Sequence, residues 1–229
     1  MLTQIDQDIW TMDGPDVVFA SVPVPTRSTI VRLASGALWV HSPIALDAEV
    51  KRALEKLGGN VAAIVAPNKF HYLSVQAWRD ACPAASVFAE PDLMQKKPAL
   101  RDAIALTETV PTLYADDIDQ VRVAGNRYFN EVVFLHRQSR SLIVTDLMMN
   151  LHTDHQGYLA RLLLRFEGVA FPNGGVSRLY RWLTRDKVAA RAAVETLIKW
   201  SPTRILLCHG EAFTDDIPSL LQKEFSYLR

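Results

Sequence analysis

Three short runs of apolar residues lack polar alternation: Val61–Ala66, Ser141–Thr145 and Arg204–Cys208. Uninterrupted runs of this length suit strands buried on both faces. Other stretches alternate or follow helical spacing. Residues 8–41 read as antiparallel β structure: Ile9–Met12, a turn at Asp13-Gly14-Pro15-Asp16, then Val17–Ser21. A hairpin follows, with Thr29–Leu33 and Ala37–Val40 joined through Ser35-Gly36. Leu46, Val50, Ala53, Leu54 and Leu57 fall at helical spacing. Asp47 and Glu49 stand near the start of that helix, and Gly58-Gly59 stops it.

After the 61–66 strand the pattern predicts a loop at 67–72, a helix over Leu73–Trp78 and a strand at Ser86–Ala89 closed by Pro91. Residues 92–117 read as loop with short helical pieces. Ile118–Val123 resumes strand character, and Glu131–Leu135 pairs with Ser141–Thr145 across Arg137–Arg140. From Gly157 to Trp200 the pattern is helical. Leu159, Leu162, Leu163 and Phe166 make one apolar face, Leu179, Trp182 and Leu183 another, and a third helix runs from about Asp186 to Trp200, before Pro202. The last strand, 204–208, precedes a helix over Ile217–Leu228. No repeat or low-complexity linker interrupts the order. Two runs of strands separated by helices predict two sheets packed face to face with helices outside, in a single domain of 1–229.

Composition narrows the functional classes. The 229 residues carry 25 Lys+Arg and 25 Asp+Glu, so no basic field points to nucleic acid. Two cysteines, Cys82 and Cys208, are too few for a disulfide scaffold. The N-terminus lacks the basic-then-apolar pattern of a signal peptide, and no apolar run reaches the length of a membrane span. These features predict a reduced, cytoplasmic protein. The segment 157–200 is locally basic, through residues such as Arg161, Arg165, Arg178, Arg181 and Arg185. Such residues are usually a solvated face, although they also suit an anionic substrate or a membrane surface; the apolar faces beside them suit a homodimer contact.

The candidate chemistry sits where buried strands end. Val61–Ala66 is followed by His71, Ser141–Thr145 by Asp146, and the last strand by His209-Gly210. Open α/β sheets place ligand sites at such ends. Two imidazoles and a carboxylate suit catalytic zinc with an open position, and equally non-haem Fe(II). Without a metal, Asp146 would be the partner of a lone His209, which is costly to bury unpaired. Cys208 reads as a small apolar residue of a buried strand rather than a nucleophile, and His152 and His155 as surface groups.

This layout resembles the metallo-β-lactamase superfamily, in a branch with a Trp-Val-His-Ser-Pro stretch, here Trp39 to Pro43. The resemblance implies an α/β fold, an αβ/βα four-layer sandwich with a helical elaboration at about 157–200. It also implies a metal site along one edge between the sheets. Against the superfamily's His-x-His-x-Asp-His, this chain has Pro67 and Lys69 in place of two histidines, His71 in place of the aspartate and Tyr72 in place of the last histidine. A later Gly-His becomes Gly125-Asn126. Asp146 matches the metal-bridging aspartate, and His209-Gly210 the final His-Gly.

The resemblance thus implies a reduced, at most mononuclear site of His71, Asp146 and His209, holding one zinc or iron, or none. The leading expectation is a metal-dependent hydrolase of an ester, lactone or amide, with Lys69 or Tyr72 stabilising the oxyanion. His41, Asn68, Asn126 and Glu131 are further candidates for the pocket. The alternatives are a non-catalytic fold member that binds a small anion or a partner, with Lys69 in the former cation position, and an Fe(II) oxygenase.

Overall fold

A computed structural model describes residues 1–19 and 22–229. Leu2–Asp6 (β1), Ile9–Phe19 (β2), Val22–Arg32 (β3) and Leu38–His41 (β4) form an antiparallel meander. Ala48–Leu57 (α1) leads into Val61–Ala66 (β5), and Val75–Ala81 (α2) into Ser86–Ala89 (β6). Pro91–Lys96 (α3) and a short turn at Pro98–Leu100 then lead into Ile104–Ala105 (β7). Strands β4 to β7 run parallel and complete one seven-stranded sheet.

Ile118–Val123 (β8), Glu131–His136 (β9) and Ser141–Val144 (β10) belong to the second sheet. Three helices follow, Tyr158–Glu167 (α4), Arg178–Leu183 (α5) and Lys187–Lys199 (α6). Arg204–Leu207 (β11) adds to this sheet, giving the order β11-β10-β9-β8, and Ile217–Glu224 (α7) comes last. β10 and β11 are parallel, with Val144 opposite Leu207.

The two sheets face each other across a core that includes Trp39, Val65, Phe88, Phe134, Ile143 and Leu206. Val50 of α1, Trp78 of α2 and Leu93 of α3 cover the outer face of the first sheet. Ala193 and Leu197 of α6 and Leu221 of α7 cover that of the second. The result is the expected αβ/βα four-layer sandwich. Its helix ends carry their own signals. Asp47 accepts from the amides of Glu49 and Val50 to start α1, and Gly58, at φ 66°, ends it.

Several elements differ from expectation. Asp13–Asp16 makes no turn: β2 is continuous, and the extra residues are taken up as a bulge between Gly14 and Val17. The predicted strand Val17–Ser21 is described only to Phe19, since Ala20 and Ser21 lie outside the described residues. β3 extends back to Val22 despite Pro23 and Pro25. β4 pairs only with Thr29–Arg32, so those prolines sit where one side of β3 lacks a ladder partner from β4. Pro91 opens α3 behind Glu90, whose carboxylate caps it. β1 and β7 come from stretches without strand alternation.

The largest difference lies in α4. Leu159, Leu162, Leu163 and Phe166 are exposed, and the helix packs instead through Leu164 onto Val22, Val24, Leu151 and Val169.

Candidate functional site

The carboxyl ends of β5, β10 and β11 meet at one edge of the sandwich. Asp146 and His209 each stand two residues beyond the last registered pair of β10 and β11. His71 comes from the loop after β5. His209 Nε2 lies 3.1 Å from His71 Nε2. The Asp146 carboxylate is 3.5 Å from each of these nitrogens, through Oδ2 to His71 and Oδ1 to His209.

Each ligand candidate is held from behind. The Pro25 carbonyl lies 2.7 Å from His209 Nδ1, and because a carbonyl only accepts, the proton sits on Nδ1 and the lone pair of Nε2 faces the site. Ser42 Oγ, 2.6 Å from His71 Nδ1, orients the second imidazole with Nε2 toward the site, as either donor or acceptor. Metal-ligating histidines usually commit their other nitrogen in this manner.

Asn68 links two of the three. Its amide nitrogen donates to Asp146 Oδ2 at 2.7 Å and to Thr145 Oγ1 at 2.8 Å. Its oxygen accepts from the amides of Phe70 and His71, which shapes the loop carrying His71. Glu131 is fully buried behind Asp146 and accepts from the amides of Thr145, Asp146 and Leu147 and from the Thr145 hydroxyl. Burial, with the Asp146 charge adding to it, pushes the Glu131 carboxyl up to about 7; the bonds from Thr145 and Asp146 pull the other way.

Electrostatics hold a negative charge on Asp146 between the two imidazoles. Burial opposes charge on Asp146, but the charges and bonds of both imidazoles outweigh it and hold this carboxyl well below the usual range. Burial lowers His71, against the nearby Asp146 carboxylate. Burial would also lower His209, but its Asp146 and Pro25 partners raise it overall. A metal binds the ionised carboxylate and both imidazoles in their neutral forms, so loading the site would displace the proton that Asp146 favours on His209. Ligands at 2.0–2.1 Å from a tetrahedral ion lie about 3.3–3.4 Å apart, close to the 3.1 and 3.5 Å separations here. The donor set fits one metal.

The other sequence candidates are placed as follows. Tyr72 lines the cavity above the triad. Lys69 does not: its Nζ is 3.8 Å from Asp92 Oδ2, so the expected lysine in the site is turned to a carboxylate on α3. Asn126 ties its loop to the Tyr180 carbonyl and Thr184 rather than to the triad. His41 is fully buried, neither ring nitrogen has a partner among the described residues, and the ring is stacked on Trp39 at 5.6 Å and does not line the cavity. Cys208 is buried, and burial raises its thiol, which suits the apolar reading. His152 is exposed beside Glu211.

Sequence reasoning missed Ser42 and the Pro25 carbonyl. Ser42 does follow His41 in the Trp-Val-His-Ser-Pro stretch, but a backbone carbonyl leaves no sequence signal. It also missed the cavity of about 500 Å³ above the triad, bounded by β2, β3, the loop after β4, and α4 and α5. The wall is mainly aliphatic and aromatic, with Thr26, Ser74, Glu167 and Ser177 among its polar residues away from the triad, and among the described residues no Lys or Arg lines it.

The sequence model for Domain of unknown function (DUF4336) matches residues 6–162. The chain belongs to the DUF4336 family. That match includes His71 and Asp146, while His209 of this DUF4336 protein lies beyond it. No curated protein matches. Solved structures place the DUF4336 chain in the metallo-β-lactamase fold. The DIM-1 metallo-β-lactamase exposed to ceftazidime superposes with a TM-score of 0.68 at 15% identity, over 100% of this chain and 95% of that one. The FIM-1 enzyme of Pseudomonas aeruginosa, in its mono-zinc form, gives 0.65 at 14% identity over 99% and 94%. A metal-soaked Flv1 flavodiiron core from Synechocystis gives 0.68 at 10% identity, over 100% of this chain and 60% of that one.

Proposed function

We propose that the DUF4336 chain is a mononuclear metal-dependent hydrolase of an ester, lactone or amide. The observation that carries this reading is the convergence of His71 Nε2, His209 Nε2 and the Asp146 carboxylate, with Ser42, the Pro25 carbonyl and Asn68 holding them from behind. A zinc ion bound there would acidify a water and polarise a carbonyl. The chain's own part is positioning. Asn68 fixes Asp146 relative to His71, Glu131 holds the turn that presents Asp146, and the apolar wall excludes bulk water from a bound substrate. Tyr72, on that wall, is the side chain we assign to the carbonyl oxygen. One water adds across the C–O or C–N bond, giving an acid and an alcohol or amine.

A ferrous ion on the same ligands would suit an oxygenase; zinc is preferred because the hydrolytic reading needs no further co-reactant. The metal-free reading has one observation in its favour. The 3.1 Å between the two Nε2 atoms is also a hydrogen-bond length. It is weakened at Lys69, which is engaged with Asp92 rather than turned into the former cation position.

The test is hydrolysis of chromogenic ester, lactone and amide panels after chelation and after adding back zinc. Turnover should return only with metal and fall at least a hundredfold in Asp146→Asn. Activity indifferent to both treatments would remove the proposal.

A further inference from the structure

Two features of the molecule meet at the mouth of the cavity. The first is the exposed apolar ridge of α4 and α5. Leu159 is 78% exposed, Phe166 58% and Trp182 67%, although each is large and apolar. Scattered single residues would need no explanation, but a contiguous set on adjoining helices does. The second is the cavity itself. Leu73, Leu163 and Leu179 belong to its wall and are also exposed, so the apolar interior continues onto the apolar surface beside Ser74, Glu167 and Ser177.

The charges around the ridge identify its occupant. Residues 157–185 contain five arginines and one carboxylate, with Asp186 next in the chain; Arg181 is paired with Glu224 at 2.6 Å, which leaves Arg161, Arg165, Arg178 and Arg185. The carboxylate, Glu167, is engaged by the Leu179 amide at 2.9 Å. Arg178 and Arg185 lie over the Phe166 and Trp182 rings, so the positive charge sits among the apolar side chains. A second copy of the same face would bring arginines against arginines, which disfavours a symmetric dimer through it. Aromatic and leucine side chains flanked by arginine match an anionic bilayer surface, where a helix lies in the plane of the interface. The cavity adds the substrate. An apolar wall without a cation disfavours a phosphate or carboxylate and suits a neutral hydrocarbon chain.

We propose that the α4–α5 face docks on an anionic bilayer and that the cavity takes the apolar chain of a neutral lipid-like ester from it. The docking half stands on the surface alone; the ester half rests on the hydrolase reading above.

Sedimentation with vesicles tests the docking half, using phosphatidylcholine alone and phosphatidylcholine with about a third phosphatidylserine. The chain should pellet with the mixed vesicles, at least tenfold less with the neutral ones and less again in high salt. Leu159→Ser combined with Trp182→Ala, both at exposed positions, should weaken pelleting at least tenfold, while Asp146→Asn should leave it unchanged. No pelleting, or equal pelleting by the double variant, would overturn docking. So would a wild-type dimer that becomes a monomer in that variant.

The cavity is tested by calorimetry on Asp146→Asn with methyl esters of four to twelve carbons, a readout that needs no turnover. Affinity should rise about fourfold per methylene until the cavity fills. Affinity independent of chain length would overturn the substrate assignment while leaving the hydrolase reading to its own test.

Discussion

Asn68 does more for the site than its polar, loop-forming character suggests. It is buried and spends both amide hydrogens and its oxygen on Asp146, Thr145, Phe70 and His71. Asn68→Ala should cost about 1–3 kcal/mol of stability through unpaired buried groups. It should also weaken metal binding about 10–100-fold, read by denaturation and by competition with a zinc chelator. His41 is the opposite case, a buried imidazole without a hydrogen-bond partner among the described residues, lowered well below its ordinary value by burial and by His71. Below the unfolded value of about 6.5 the unfolded chain takes up a proton that the native His41 refuses. Its contribution therefore falls as pH drops through 6.5. The stability difference between wild type and His41→Phe, followed by urea melts, should shift toward the variant from pH 7.5 to pH 5. A difference independent of pH would contradict this account.

Element boundaries were legible wherever a physical signal sits in the residue itself. Asp47 and Gly58 announce α1, and unbroken apolar runs announce β5, β10 and β11. What periodicity could not give is which side of α4 faces inward. Its apolar stripe, Leu159, Leu162, Leu163 and Phe166, satisfies the pattern of a buried face, yet contact with β3 and the 151 and 169 segments selects Leu164. Leu164→Ala should therefore cost about 2–5 kcal/mol, whereas Leu162→Ser should stay within about 0.5 kcal/mol. Thermal melts of the two variants distinguish the faces. The turn after β11 is constrained more tightly. Gly210 adopts φ 97°, and a Cβ there would collide with the Asn150 carbonyl oxygen. Arg27 clasps the same turn through the Gly210 carbonyl at 2.6 Å. Gly210→Ala should displace His209 and lower both stability and metal affinity, measured in the same melts with and without zinc.

Across the whole molecule, the sandwich turns strand ends that are remote in sequence into one site. His71, Asp146 and His209 were legible because buried strands expose polar side chains only where they stop. Lys69 was misplaced by its position in the motif, since the loop turns its side chain to Asp92 on α3, a partner 23 residues away that no local pattern reveals. The cavity was illegible for the same reason: its walls come from β2, β3, α4 and α5, and their meeting is a property of the fold. If the triad binds zinc in the native state only, the metal should stabilise the chain by about 2.7 kcal/mol at a hundred times its dissociation constant. The most direct measurement is the metal content of protein purified without chelator, by elemental analysis of wild type and His209→Ala. The mononuclear account predicts about one zinc or iron per wild-type chain and loss of most of it in the variant. Less than about a tenth of an equivalent in both, after the wild type has been offered zinc, would contradict it.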